Sequence, residues 1–253
     1  MAIITLMSDF GTSDHYVAAV KGKLLSIDAD LKIVDISHTI EQYNIAHGSF
    51  VLKYIYQHFP AGTIHIASVN ALESINFVAL ALDDHFFLGA DNGLFSLLSN
   101  KAPNQIIYLP HNGQSRFPAL DILVPAAANL ANSGDLSNLG EAKDDYYRLM
   151  PRQVKASKKQ ISGNIVRVNN YGNCISNIEK HEFDLLSKDK KYSIILGRER
   201  LSKLSELPGK VEPGDCYVFF NDLGLLEVGI NKGNAAELLG LQYDSSIHII
   251  FSD

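Results

Sequence analysis

Up to residue 131 the chain alternates short runs of apolar and β-branched residues with longer stretches of helical periodicity, and past residue 140 that alternation stops. The apolar runs fall at 2–7, 32–35, 63–69, 77–82, 85–88 and 105–108, and the helical stretches at 16–27, 46–56, 94–99 and 121–131. Strand and helix taken in turn force crossover connections, which predict a mostly parallel sheet covered on both faces. Between Gly140 and Lys159 the acidic pair Asp144-Asp145, Pro151 and the polar run 155–160 read as a linker. Beyond it, β-branched and aromatic runs at 161–168, 192–196, 216–220, 225–230 and 247–251, punctuated by Gly and Asn, predict a small, mainly antiparallel sheet or barrel. The expected fold class is α/β, with an N-terminal mostly parallel α/β/α sheet domain at 1–145 and a smaller C-terminal antiparallel β domain at 160–253.

With 253 residues, 46% hydrophobic and 20% charged, the chain has enough apolar side chains for a packed core. Its formal net charge is −6, and no basic run exceeds the pairs Lys158-Lys159 and Lys190-Lys191, which argues against a nucleic-acid partner. The N-terminus enters an apolar run without a basic leader and reaches Asp9 too early for a signal sequence. No apolar run approaches the ~20 residues that span a bilayer, so no membrane partner and a cytoplasmic location are expected. Cys174 and Cys216 have no companion at metal-ligand or redox spacing and read as buried free thiols. The histidines show no paired metal spacing, so no metal is expected, and His85 beside Asp83-Asp84 reads as part of a solvated hairpin.

The 2–7 run leads into Ser8-Asp9-Phe10-Gly11-Thr12, a carboxylate at the C-terminal edge of a strand just before a helix. In open α/β sheets small ligands bind at that edge. Gly11 allows close approach of backbone, and Asp9 can accept two hydrogen bonds from a vicinal diol such as a ribose. The alternative is a turn whose Asp and Thr cap the helix beginning near Asp14.

Four further segments follow in order across nearly the whole chain: Val34-Asp35-Ile36-Ser37-His38, Ala90-Asp91-Asn92-Gly93-Leu94, Asn170-Tyr171-Gly172-Asn173 and Asn231-Lys232-Gly233-Asn234-Ala235-Ala236. Together with the first, they resemble the S-adenosylmethionine hydroxide adenosyltransferase family, which also contains the fluorinases and chlorinases. The resemblance implies a homotrimer whose sites lie between the N-terminal domain of one subunit and the C-terminal domain of its neighbour. It further implies a reaction without metal or cofactor, in which water or halide attacks the ribose C5′ of S-adenosylmethionine and expels methionine. A charged sulfonium departs as a neutral thioether, so desolvation raises the ground state relative to a charge-dispersed transition state.

Carried across, the resemblance makes Asp9 the ribose clamp, Asn173 the reader of adenine and Tyr171 the aromatic against the base. It makes Asn234-Ala235 the segment whose backbone meets the adenine edge, and places Tyr43 near the reacting carbon. Asn-rich turns and small-residue packing also serve purely structural ends, and Tyr43 fits a core or interface position equally well.

The hydrolases of the family carry a Val-Asp-Pro-Gly-Val-Gly segment, an arginine shortly after it and a later Phe-His-Gly-Arg-Asp segment, whose Asp, Arg and His deliver the water. Here Val69-Asn70-Ala71-Leu72-Glu73-Ser74 puts Asn70 at the aspartate, spacing puts Phe77 on or beside the arginine, and Phe117-Pro118-Ala119-Leu120-Asp121 puts Pro118 at the histidine. Asn orients a water but cannot take its proton, Pro offers neither donor nor base, and Phe offers no cation. General-base assistance is worth ~10²- to 10⁴-fold, so water attack by that mechanism is expected to be severely weakened. The fluorinase substitutes, a Tyr-Pro-Ala-Thr segment and a serine, are absent as well. At the methionine end Asn169 stands for an aspartate, and Asn221-Asp222-Leu223 for an Asn-Ser-rich loop, so a methionine carboxylate would meet Asp222. Glu73 and His38 are the side chains that could supply a replacement base.

The expected partner is therefore a small-molecule adenine nucleoside, adenosine or S-adenosylmethionine, bound by a homotrimer whose hydrolytic activity is weakened or lost. Two other readings stay open. One is an active S-adenosylmethionine hydrolase in which Asn70 positions the water and Glu73 takes the proton. The other is a non-catalytic trimeric scaffold or regulatory protein in which Asp9 only caps a helix.

Overall fold

The computed structural model describes residues 2–113, 115–207 and 210–252, which form two compact units, Met1–Met150 and Pro151–Asp253. In the first unit β1 (Ile3–Ser8), β2 (Lys32–Ser37), β3 (Ile64–Ser68), β4 (Phe77–Leu82), β5 (His85–Ala90), β6 (Gln105–Tyr108) and β7 (Glu141–Ala142) build one sheet in the order β2-β1-β3-β5-β4-β6-β7. The β1/β2, β1/β3 and β3/β5 pairings are parallel and the other three antiparallel, so β1, β2, β3, β5 and β6 point one way.

Period-two alternation decides what each face of that sheet covers. Ile4 and Leu6 of β1 pack with Val20 and Leu24 of α1 (Tyr16–Ile27) and with Val124, Ala127 and Leu130 of α3 (Val124–Ser133). Met7 points the other way, into a cluster with Leu52 of α2 (Ile45–Ile55) and the Tyr56 that follows it. Each of the larger aliphatic side chains among these, fully buried, contributes roughly 1.5–3 kcal/mol.

The predicted 16–27 helix forms over those residues, and α2 starts where Asn44 accepts a hydrogen bond from the His47 backbone at 2.9 Å, an ordinary side-chain cap. The 94–99 stretch makes only a 3₁₀ turn at Phe95–Leu97. The 121–131 stretch begins earlier, as a π turn at Ala119–Leu123 running into α3. Pro125 in the first turn of α3 has no N–H for the carbonyl four residues back, which widens the register there.

His85 corrects the solvated-hairpin expectation: at the Asp83-Asp84 tip only Asp84 is exposed, and His85 is buried in β5. His65 Nε2 lies 3.1 Å from His85 Nδ1, and His65 Nδ1 lies 2.7 Å from Thr5 Oγ1, a polar chain across three strands. The rings of Tyr56 and Phe87 pack around both imidazoles. Burial, with His85 as close neighbour, pushes the His65 pKa down to about 3.

The second unit is antiparallel throughout. Its strands are β8 (Lys155–Ala156), β9 (Gln160–Val168), β10 (Cys174–Glu179), β11 (Lys191–Leu196), β12 (Glu199–Leu201), β13 (Cys216–Phe220), β14 (Leu225–Ile230) and β15 (Ser246–Ser252). They are ordered β12-β11-β15-β9-β10-β14-β13, with β8 pairing on β9, so part of the run read as linker is strand. β10 lies outside the runs read as strands, because Ser176 and Asn177 interrupt its β-branched pattern. Ser176 is nonetheless buried and donates to the Leu226 carbonyl at 2.9 Å. Ile161, Ile165, Cys174, Ile194, Val218, Leu226 and Ile249 form the core, flanked by the helices α4 (Lys180–Ser187) and α5 (Ala235–Leu239). Cys174 is buried and Cys216 half-buried, both free, and burial pushes each thiol up to about 11. Among the described residues no helix is long and apolar enough to cross a membrane, and no cluster of three or more His, Cys, Asp and Glu is placed to hold a metal ion.

Candidate functional site

In the first unit the loops after β1 and β3 and the loop before α2 meet at one carboxylate. Asp9 Oδ2 accepts hydrogen bonds from the backbone N–H of Tyr43 and of Asn70, each at 3.0 Å. Tyr43 and Asn70 both adopt left-handed backbone, with φ of 61° and 48°, an uncommon choice for residues other than glycine. The acceptor that draws their N–H groups inward holds them there. Asp9 does not cap α1, whose N-cap is His15 with no side-chain bond, which corrects the helix-cap alternative. Asp9 Oδ1 makes no hydrogen bond among the described residues, so an acceptor is left at the mouth of the loop. Gly11, with φ of 75°, donates its N–H to the His38 carbonyl at 2.8 Å and ties this loop to the end of β2.

His38 follows β2 and bonds to Ser8, the residue before Asp9. It is buried, with Nδ1 2.7 Å from Ser8 Oγ and Nε2 3.1 Å from Asp35 Oδ1, close enough for charge attraction but misdirected for a hydrogen bond. Its place is structural, joining the ends of β1 and β2. Glu73 is exposed on the loop after β3. Phe77 is core, buried in β4 with its ring edge-on to His111 at 5.4 Å. Pro118 starts the π turn, where a missing N–H costs nothing. Phe117 packs on Phe10 and Tyr16 at 5.5 and 5.4 Å, which brings this segment beside the Asp9 loop.

Asn92 was given no role by sequence reasoning, although it stands in one of the quoted segments. Its Nδ2 donates to the carbonyls of Val69 and Asn70 at 2.9 and 3.3 Å. The Asn70 turn is thus held on its N–H side by Asp9 and on its carbonyl side by Asn92.

In the second unit two hairpins share one construction. Asn169 Oδ1 accepts from the N–H of Tyr171 and Asn173 at 3.0 and 3.1 Å, and Asn221 Oδ1 accepts from Leu223 and Leu225 at 3.0 and 3.1 Å. Each three-residue loop closes on a glycine with positive φ, Gly172 at 77° and Gly224 at 73°. Both asparagines then turn their Nδ2 toward Glu227 of β14, buried at 6% exposure: Asn221 at 2.9 Å to Oε2 and Asn169 at a long 3.5 Å to Oε1. Asn173 Nδ2 donates to the same Oε1 at 2.9 Å. Glu227 was not foreseen, since its strand reads as plain apolar sequence apart from that one acid.

The remaining residues gather around the first of these turns. Asn234 caps α5 by accepting from the Glu237 N–H at 3.2 Å, and its amide lies so close over Gly172 that a Cβ there would sit 2.1 Å from Oδ1. The Ala236 N–H donates to the Gly172 carbonyl at 2.9 Å, Ala235 is fully buried, and Tyr171 projects at 82% exposure. Asn169, Tyr171, Asn173, Asn234 and Ala235 therefore come together in this unit, as Asp9, Tyr43 and Asn70 do in the other. Asp222 is exposed in the second hairpin.

An α/β unit followed by an antiparallel unit is also the build of known proteins. Residues 4–140 match the SAM hydroxide adenosyltransferase N-terminal domain and residues 163–248 the C-terminal domain. The chain is 30% identical to an (R)-S-adenosyl-L-methionine hydrolase of Methanocaldococcus jannaschii, over 98% of this chain and 96% of that protein. It is 23% identical to a fluorinase of Actinopolyspora mzabensis, over 98% and 96%. A conserved protein of Thermotoga maritima with a solved structure superimposes with a TM-score of 0.88 at 24% identity, covering 98% of this chain and 99% of that one. The chain belongs to the SAM hydroxide adenosyltransferase family.

Proposed function

We propose that this protein binds an adenine nucleoside, adenosine or S-adenosylmethionine, and that it hydrolyses S-adenosylmethionine far more slowly than a member with an intact water-delivering triad. The observation that supports binding is the Asp9 carboxylate, anchored through Oδ2 and open at Oδ1. A fixed acceptor loses little freedom on meeting the ribose hydroxyls. Tyr43, on the adjoining turn, would flank the sugar. In the second unit Asn173 would take the adenine edge and the exposed Tyr171 ring its face. Asn234 spends its side-chain oxygen on α5, so its contribution, with Ala235, would be backbone. The homotrimer that the family resemblance implies would supply the Asp9 and Asn173 groups of one site from neighbouring subunits.

Weak turnover is supported by the chemistry at three positions. Asn70 has no basic atom, Phe77 is enclosed in the sheet, and Pro118 is spent on starting a helix. Nothing there would take the proton from water or stabilise hydroxide at C5′. No metal or cofactor enters this reading.

Calorimetric titration of the folded protein with adenosine tests binding, and absence of heat at millimolar ligand rejects it. Chromatography of S-adenosylmethionine incubations tests turnover, and rapid appearance of adenosine and methionine rejects the second half of the reading.

A further inference from the structure

We infer that Glu227 fixes which way the Asn173 amide faces, and thereby makes the site select a purine carrying a 6-amino group over one carrying a 6-oxo group. This rests on the nucleoside reading and adds a specificity-determining residue to it. Glu227 is buried and is met by three amide groups, of Asn169, Asn173 and Asn221. A carboxylate only accepts, so an amide oxygen turned toward it would set two acceptors face to face. Each of the three therefore points Nδ2 inward. Asn169 and Asn221 consume their oxygens on the N–H groups of their own turns. Asn173 is the exception: among the described residues its Oδ1 accepts no hydrogen bond, and it is half-buried rather than enclosed.

The Asn173 amide thus presents outward one acceptor, Oδ1. A 6-amino purine offers that oxygen its N6 donor, whereas a 6-oxo purine offers only acceptors, O6 and N7, along the same edge. The oxo base would leave Oδ1 facing another acceptor, and rotating the amide to suit it would turn that oxygen onto Glu227. The Tyr217 hydroxyl is a further partner of Asn173, with the amide as donor, so it too keeps Nδ2 on the inner side.

The experiment is calorimetric titration of the full chain with adenosine and with inosine, for the wild type, Glu227→Gln and Glu227→Asp, with a thermal melt of each. The wild type is expected to prefer adenosine by about tenfold or more, the scale of one buried acceptor left facing another. In Glu227→Gln the new carboxamide can donate as well as accept, so Asn173 is free to rotate and the preference should fall to within about threefold. Glu227→Asp, still an acceptor only, should restore it. A purely structural Glu227 would weaken both nucleosides by the same factor, and an unchanged ratio in the folded Gln variant overturns the inference. Wild type that binds inosine as tightly as adenosine overturns it without any variant, and wild type that binds neither overturns the nucleoside reading on which it stands.

Discussion

Asp9 and Asn70 are bonded side chain to backbone, Oδ2 to N at 3.0 Å, across the ends of the neighbouring parallel strands β1 and β3. The same oxygen holds Tyr43, so one atom fixes two loops whose backbone would relax without it. Asp9 is therefore part of the framework as well as the candidate contact to a ligand, and substitutions can separate the two roles.

Asp9→Ala leaves two backbone donors without their acceptor and should cost about 1–3 kcal/mol of stability. Asp9→Asn keeps an oxygen for those donors but loses the charge. It should melt within a few degrees of the wild type and bind adenosine at least tenfold more weakly. Thermal denaturation and titration calorimetry on both variants check this, and equal adenosine affinity in Asp9→Asn would count against a ribose clamp.

Asn70→Asp restores a carboxylate without disturbing the turn, because Asp tolerates left-handed backbone about as well as Asn. One recovered base should raise adenosine formation from S-adenosylmethionine at least about tenfold, a fraction of the full general-base effect. Chromatographic assay of the purified variant against the wild type measures it.

Gly172→Ala should be among the most damaging single-methyl changes in the second unit. The new Cβ would fall 2.1 Å from Asn234 Oδ1, at a residue whose φ of 77° side chains rarely adopt. Strain and displacement together should cost more than about 2 kcal/mol. Urea denaturation followed by far-UV circular dichroism reports the loss, and near-wild-type stability would show that the Asn234 cap can move aside.

Acid should destabilise the first unit through His65. Burial lowers its folded pKa to about 3, against about 6.5 in an unfolded chain. Below about pH 6.5 the unfolded state takes up a proton that the folded state refuses, so stability is complete above that pH and declines as pH falls toward 3. The His85 pKa is also lowered, by burial first, with Asp84 and Asp83 partly opposing, and acts in the same direction. His65→Gln removes one such proton and should shrink the loss between pH 7.5 and pH 4.5 by on the order of 2 kcal/mol, read from urea midpoints.

The alternation of strand and helix in the first unit was legible because apolar periodicity reflects burial on a sheet face. What the sequence concealed was whatever depends on a partner far along the chain. His85 looked solvated beside two aspartates, yet its burial follows from the strand it begins and from His65, twenty residues earlier. Glu227 looked like the polar position of a strand, whereas its meaning comes from asparagines on two separate hairpins. Asp9 was readable as a candidate ligand contact from its strand edge alone, but the use of one of its oxygens to hold Tyr43 and Asn70 was not. β10 escaped notice because buried Ser176 satisfies its hydroxyl across the sheet, a bond no local pattern announces.

The left-handed backbone at position 70 narrows what mutation can try there. Asparagine, aspartate and glycine are the residues that accept such a conformation with little strain, and Asn and Asp differ by a single codon letter. A lineage carrying this loop can therefore switch a proton-accepting group off and on in one step, with the scaffold untouched. The geometry of the turn thus keeps a carboxylate at position 70 one mutation away, at little cost to the backbone.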